Sequence, residues 1–562
     1  MTARGNNQTP STEVLQSYTP RHKLRFITAT ALFDGHDASI NIMRRLLQSR
    51  GAEVIHLGHN RSAAEVAEAA IQEDAHAVAI SSYQGGHMEF FKYVRQLLDA
   101  NGGRDIKIFG GGGGVITLKE IAELESAGIT KIYSPEDGTQ LGLDGIIGHM
   151  LHSADREISH WVDSGATSTT KLARALTLLE SGKWSVAESV EKLSTGSKHA
   201  KRNIPVLGIT GTGGAGKSSL TDELLLRFLL DNPDARIGLV CIDPSKKKTG
   251  GALLGDRIRF NAASDQRIFL RSFATRGSGK EIAAVTRDAL SLMKTQPFDF
   301  IIVETSGIGQ GDTGILDVAD VTLYVMTAEY GAATQLEKID MLDFADFIAV
   351  NKFERAQSLD AIRDIRTTLR RSRFKGVRMD DKEFPVYGTI ASRFNDDGTN
   401  GLYKALVTKL NDKAGESRFR LVHERPVAIE STRRESLIPA GRATYLADIS
   451  RAVRAYHDAN ESHIRVTRDA EALDRAAAIC RENGDEKSAA ALTSSAKTLW
   501  AKLPPELLKQ LQHWEDTRRA YASDKFTYQV RGKDITVQAS FETLSHLDLP
   551  KVALPDLTSK AD

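Results

Sequence analysis

Two patterns of apolar residues alternate along this chain. Short apolar, β-branched runs occur at 24–32, 54–57, 77–82, 106–109 and 131–133. Between them, at 39–50, 63–72, 89–101 and 118–127, the apolar positions recur at helical spacing. One helix start is marked by Ser62-Ala63-Ala64-Glu65, a capping box that satisfies the free amides of a first turn. Strands alternating with helices in this way predict a parallel, doubly wound α/β sheet over residues 22–152. A polar, largely helical stretch at 153–203 reads as a linker. The alternation then resumes over 204–414, with strand runs at 206–210, 237–242, 300–303, 321–326 and 347–350, and predicts a second doubly wound parallel domain. Residues 415–562 turn Arg- and Ala-rich and helical, notably at 442–459 and 470–503, and residues 1–21 read as a mobile polar tail.

Composition narrows the class. The 562 residues carry 74 Lys+Arg against 73 Asp+Glu, a net charge of +1, so no broad basic face for nucleic acid is expected. No apolar run approaches the roughly 18 residues a membrane span requires, and residues 1–20 lack an apolar signal segment. Cys241 and Cys480 are far apart and without metal-ligand spacing, which argues against a disulfide framework and a structural zinc. A cytoplasmic protein of several domains is expected.

The strongest chemical signal is Gly211-Thr212-Gly213-Gly214-Ala215-Gly216-Lys217-Ser218, followed by Ser219. It lies between a strand and a helix, where glycine amides and the helix N-terminus can cradle phosphates. Lys217 would reach the terminal phosphates and Ser218 would ligate magnesium. Carboxylates follow strand ends at Asp243 and Glu304, with Asp256 beyond the first of them. These suit Mg²⁺ or its waters, with loop capping as the plainer role for Asp243 and Asp256. Gly307 would approach the γ-phosphate, and Gln310 is either a water-orienting residue or an ordinary loop residue. Asn351-Lys352-Phe353-Glu354 follows another strand. Asn351 would bond the guanine O6/N7 edge, and Glu354 would accept from N1–H and N2–H₂. Asp usually stands at this last position, and Glu is one methylene longer. GTP is expected rather than ATP.

In the first domain, Asp34-Gly35-His36, Ser81-Ser82-Tyr83 and the glycines Gly110 to Gly114 all follow strands of one sheet. Loops at the carboxyl ends of such strands meet at the ligand-binding edge. His36 offers a metal a neutral nitrogen, and Asp34 can fix its tautomer through the other N–H. Gly113 and Gly114 permit a bulky group to approach closely. A flavodoxin-like domain binding phosphate at the same glycines accounts for these residues equally well.

These motifs resemble the cobalamin-binding motifs of the methylmalonyl-CoA mutase family. The resemblance implies a flavodoxin-like cobalamin domain with His36 as lower axial cobalt ligand, and Ser81, Tyr83, Gly113 and Gly114 lining the pocket for the displaced nucleotide tail. Two positions depart from the family pattern: Ser39, where Gly is common, and Tyr83, where Leu is common. The second domain, through residues 243–251, 304–310 and 330–351, is similar to the GTPase chaperones that load cobalamin into these mutases. The tandem arrangement, together with residues 438–445, resembles the fused isobutyryl-CoA mutase architecture.

In that architecture an acyl-CoA-binding (β/α)₈ barrel of about 250 residues follows. It does not fit between residue 555 and the last residue, Asp562. The expectation is an adenosylcobalamin- and GTP·Mg²⁺-binding component that needs a barrel not present in these residues, whether a separate subunit or a part lost by truncation, to interconvert isobutyryl-CoA and n-butyryl-CoA; the resemblance also suggests a homodimer. The alternatives are a free-standing cobalamin carrier or sensor with a GTPase timer, and a GTPase whose first domain holds another ligand.

Overall fold

The computed structural model describes residues 11–159, 161, 166–193, 202–245, 249–254, 257–276, 282–305, 307, 313–331, 336, 338–375, 377, 379–432, 444–530, 532–543, 546–555 and 557–562. The chain divides into two compact units, 1–435 and 436–562.

In the first unit, β1 (Arg25–Ala31), β2 (Glu53–Arg61), β3 (Ala77–Ser81), β4 (Lys107–Gly111) and β5 (Lys131–Tyr133) pair in parallel in the order β5-β4-β3-β1-β2. Every residue of β1 is buried, as befits a strand covered on both faces. The order reverses between β1 and β3, so the loops leaving these two strands flank the switch point. The expected capping box at Ser62 and Glu65 is present and fixes the start of the helix Ala63–Gln72.

A second parallel sheet contains β6 (Val206–Gly211), β7 (Ile237–Asp243), β9 (Ile268–Ala274), β10 (Phe300–Thr305), β11 (Val321–Met326), β12 (Phe347–Asn351) and β13 (Val386–Thr389), ordered β13-β12-β11-β6-β10-β7-β9. The intervening β8 (Ala252–Leu254) belongs elsewhere. It pairs in parallel with β2, from Glu53↔Ala252 to Ile55↔Leu254, as the sixth strand of the first sheet. Gly251 makes this possible: a Cβ there would lie 2.1 Å from the Gln48 carbonyl oxygen.

The stretch expected to be a linker includes the helix Ser168–Glu180, which is mortar between the sheets. Leu172, Ala173 and Leu176 join the core of the second sheet. Arg174 donates to both carboxylate oxygens of Asp74, at 2.9 and 3.1 Å, on the first. Around it runs a buried ionic network. Glu53 accepts from Arg25 and Arg276, each at 2.9 Å. Glu180 pairs with Arg25, Arg271 and Arg276, and Glu73 accepts from the Ser272 hydroxyl at 2.8 Å. Buried charges persist only when paired in this way. The supposed N-terminal tail is also partly fixed, because the helix Thr12–Gln16 buries Leu15 against Gly148.

In the second unit the helices Tyr445–Glu482 and Glu486–Trp500 pack together, burying Ala470, Ala477, Ala489 and Ala496. Two antiparallel pairs follow, Lys525–Val530 with Lys533–Gln538 and Ser540–Glu542 with Asp548–Pro550, where helix was expected. The period-two pattern Phe526, Tyr528, Val530 marks the first of them. No helix among the described residues is long and apolar enough to cross a membrane.

Candidate functional site

At the carboxyl edge of the first sheet, the loop after β1 presents His36 with its side chain 78% exposed, beside a buried Asp34. One Asp34 carboxylate oxygen accepts from the His36 amide at 2.9 Å and lies 2.8 Å from His36 Nδ1; the other accepts from the Tyr83 amide. Burial pushes this carboxyl up, but the Tyr83 and His36 donors outweigh it and hold it below its usual value. An ionised Asp34 requires a proton on Nδ1, which leaves Nε2 as the lone-pair nitrogen. The backbone just before is pinned from both sides: Asn60 Oδ1 accepts from the Phe33 amide at 2.7 Å, and Gln84 donates to the Leu32 carbonyl. Phe33 itself adopts φ 64°, a strained conformation for a bulky residue.

Ser81 and Tyr83 stand on the β3 loop. Ser81 Oγ lies 3.0 Å from Thr30 Oγ1, and Tyr83 Oη lies 2.7 Å from Ser39 Oγ. Gly112 rather than Gly113 or Gly114 is the sterically obligatory glycine, since a Cβ there would sit 1.9 Å from the Ser82 carbonyl oxygen. Gly113 has φ 57°, and Gly114 has open space around its Cα. Between these loops and the helices Ala38–Ser49 and Pro135–Ala154 lies an apolar cavity of about 270 Å³. The Ser82 hydroxyl is buried close by without a hydrogen-bond partner among the described residues. An exposed imidazole with a fixed tautomer, beside an apolar slot floored by glycine, fits a corrinoid metal and its tail.

The phosphate loop follows β6 at the centre of the second sheet. Gly213 and Gly214 are exposed, and Gly216 takes φ 86° at the start of the helix Lys217–Asp231. Lys217 Nζ donates to the carbonyls of Gly211 and Thr212, both at 3.2 Å, so its ammonium sits over the loop. Ala215 is buried beneath the loop, and Ser219 is exposed on the helix. Glu304, at the end of β10, is buried and accepts from Ser218 Oγ at 2.6 Å and Thr221 Oγ1 at 2.7 Å. Serine and carboxylate thus converge as a magnesium site would require. Asp243 ends β7 one position beyond the Thr305–Ile242 pair of β10 and β7. Gly307 packs against the loop, where a Cβ would come 2.0 Å from the Gly211 carbonyl oxygen and 2.5 Å from Lys217 Nζ. Asp256 and Gln310 lie outside the described residues.

Asn351 bonds to protein groups on both sides. Its Nδ2 donates to the Ala215 carbonyl at 2.8 Å, and its Oδ1 accepts from Thr389 Oγ1 and the Ala391 amide, both at 3.2 Å. It laces the phosphate loop to the loop after β13. That loop was missed in the sequence, although a short strand followed by Thr389-Ile390-Ala391 signalled it. Lys352 donates to the Gly214 carbonyl at 2.7 Å. Glu354 Oε2 is buried with no hydrogen-bond partner among the described residues, an acceptor suited to a base N–H.

Two family models match this chain: "B12 binding domain" at residues 24–136, and "Methylmalonyl Co-A mutase-associated GTPase MeaB" at residues 172–420. The two matches lie in tandem along the chain. It is 49% identical over 550 residues to the fused isobutyryl-CoA mutase of Geobacillus kaustophilus, a match covering 96% of this chain and 50% of that protein. With the fused isobutyryl-CoA mutase of Cupriavidus metallidurans it shares 48% identity over 542 residues, covering 95% of this chain and 49% of that one. The chain therefore spans about half the length of the curated relatives it matches. β8 lies in the stretch matched by the second model but is built into the sheet matched by the first.

Proposed function

We propose that this chain binds adenosylcobalamin, with His36 as the residue that would hold its cobalt, binds and hydrolyses GTP·Mg²⁺, and serves as the cofactor-handling component of a cytoplasmic acyl-CoA mutase. The isobutyryl-CoA to n-butyryl-CoA rearrangement would need an acyl-CoA-binding barrel acting with it. The observation that carries the cofactor reading is the Asp34–His36 pair, whose exposed imidazole lies 5.7 Å, ring to ring, from Tyr83 on the wall of an apolar cavity lined by Gly110 to Gly113. Bound adenosylcobalamin supplies a cobalt–carbon bond that cleaves homolytically. Asp34 keeps the His36 tautomer, Tyr83 and the post-β4 glycines shape the slot, and Ser82 offers a free hydroxyl to a polar part of the tail.

In the nucleotide site, Lys217 would leave the Gly211 and Thr212 carbonyls for the β- and γ-phosphates. Ser218 and Glu304 would hold Mg²⁺ directly or through its waters, and Glu304 would then release the hydroxyls it now occupies. Glu354 would accept from the guanine edge, with Asn351 bracing the loops on either side. Asp243, Asp256 and Gln310 are the further candidates for the metal and the attacking water.

The test is a cobalamin titration followed by absorbance, with and without GTP. A base-off, histidine-ligated spectrum that disappears in His36→Ala supports the cofactor reading, and an unaltered spectrum in that variant overturns it. Mixing the loaded protein with a separately produced mutase barrel should then give isobutyryl-CoA turnover. Binding without turnover in any such mixture would leave a carrier instead.

A further inference from the structure

The cavity near His36 is lined by Ile40 and Met43 of the helix Ala38–Ser49, Phe109 of β4 and Ile146 of the helix Pro135–Ala154. Its volume is at the small end of ligand sites, which suits one flat aromatic group and not a whole corrinoid. Ser39 and Tyr83 both belong to its lining. The Tyr83 ring rests against Gly113, where a Cβ would come 3.2 Å from Tyr83 Cε1. The Tyr83 hydroxyl is hydrogen-bonded to Ser39 on the helix Ala38–Ser49 at 2.7 Å. The same ring lies 5.7 Å from that of His36, centroid to centroid. A group passing from the His36 rim into the cavity therefore meets Tyr83.

We propose that Ser39 and Tyr83 form a latch over the tail pocket, and that the aromatic base of the cofactor's nucleotide tail enters only when their hydrogen bond opens. This rests on the cobalamin reading above. Two polar residues stand where the pocket would otherwise be open, and their hydroxyls satisfy each other only in the closed state. When Tyr83 swings out, its hydroxyl and that of Ser39 become available to the sugar–phosphate part of the tail. The pair thus controls admission of the tail and leaves the axial contact to His36 and Asp34.

The test compares two corrinoid probes, cobalamin and the tail-less cobinamide, in stopped-flow absorbance with the full chain. Tyr83→Phe removes one oxygen and keeps the ring, and Ser39→Ala removes the partner; circular dichroism melts check that both variants fold. Each single variant should raise the rate of cobalamin uptake about 2- to 12-fold, the equivalent of one neutral hydrogen bond. The double variant should be no faster than either single, because both substitutions break the same bond. Cobinamide, which has no tail to admit, should bind all forms at the wild-type rate. Unchanged cobalamin uptake in the singles, an additive double, or equal acceleration with cobinamide would overturn the latch. Wild-type protein that binds neither corrinoid would instead remove the cobalamin reading, and the latch with it.

Discussion

Replacing Asp34 by asparagine isolates the positioning of His36 from its identity as a ligand. Three donors converge on this carboxylate: the Tyr83 amide on one oxygen, the His36 amide and Nδ1 on the other. Asparagine offers one oxygen. Its better orientation keeps that oxygen toward His36 and turns its NH₂ against the Tyr83 N–H, donor facing donor, in a buried position. A lost charge-assisted bond and an unsatisfied amide together amount to about 1–3 kcal/mol, or about 5- to 150-fold in affinity. This agrees with the 10- to 100-fold typical of partners that orient a metal-bound histidine. Asp34→Asn should therefore weaken cobalamin binding by about that range in an absorbance titration, while GTP binding, measured on the same sample, stays at the wild-type value. Cobalamin affinity within twofold of wild type would refute the claim that Asp34 holds the imidazole in place.

Three further outcomes follow from the same geometry. Lys217→Ala should abolish GTP binding by calorimetry, and full hydrolysis in that variant would rule out the loop after β6 as the phosphate site. Glu354→Gln should weaken GTP about 10- to 150-fold, as expected for losing hydrogen bonds to a charged acceptor, and leave weak ATP binding unchanged in competition assays. Glu53→Gln should lower the stability of the first unit by about 3–5 kcal/mol at neutral pH in denaturant melts, because a buried ion pair loses one member. Burial alone would raise the Glu53 carboxyl, but Arg25 and Arg276 outweigh it and lower it well below its ordinary 4.5. Its contribution is thus fully present above that value and is lost as pH falls through the depressed one, so the gap between variant and wild type should close on acidification.

Both sheets were legible in the sequence because their strands are continuous apolar runs and their helices carry strong caps, as at Ser62. The phosphate loop was legible because glycine spacing, a lysine and a hydroxyl do their work within eight consecutive residues. Asp34 and His36 are two residues apart, so their pairing was readable for the same local reason, and the structure brings Oδ1 and Nδ1 within 2.8 Å. What escaped is what long-range pairing decides. Ala252-Leu253-Leu254 is too short to declare itself a strand, and nothing local says that its partner lies some 200 residues earlier. Arg271 and Glu180 read as ordinary surface charges until packing buries them together. The helix Ser168–Glu180 looked like a connector because its apolar residues serve the core of the second sheet while its polar Arg174 and Glu180 bind the first. Tyr83 and Ser39 stood out as departures from a family pattern, but their hydrogen bond emerges only when the helix after β1 and the loop after β3 are brought side by side.

β8 bears on any attempt to dissect this protein. A fragment ending at the conventional domain border near residue 203 would lose Ala252–Leu254 and leave the Glu53–Ile55 backbone without its neighbour. Bare strand margins of this kind recruit other chains, so such a fragment is a poor choice for isolated biophysics. Gene shuffling that exchanges one half without the other would face the same difficulty. The working unit of expression, engineering and evolutionary exchange is the pair, with the second half's chain completing the first half's fold.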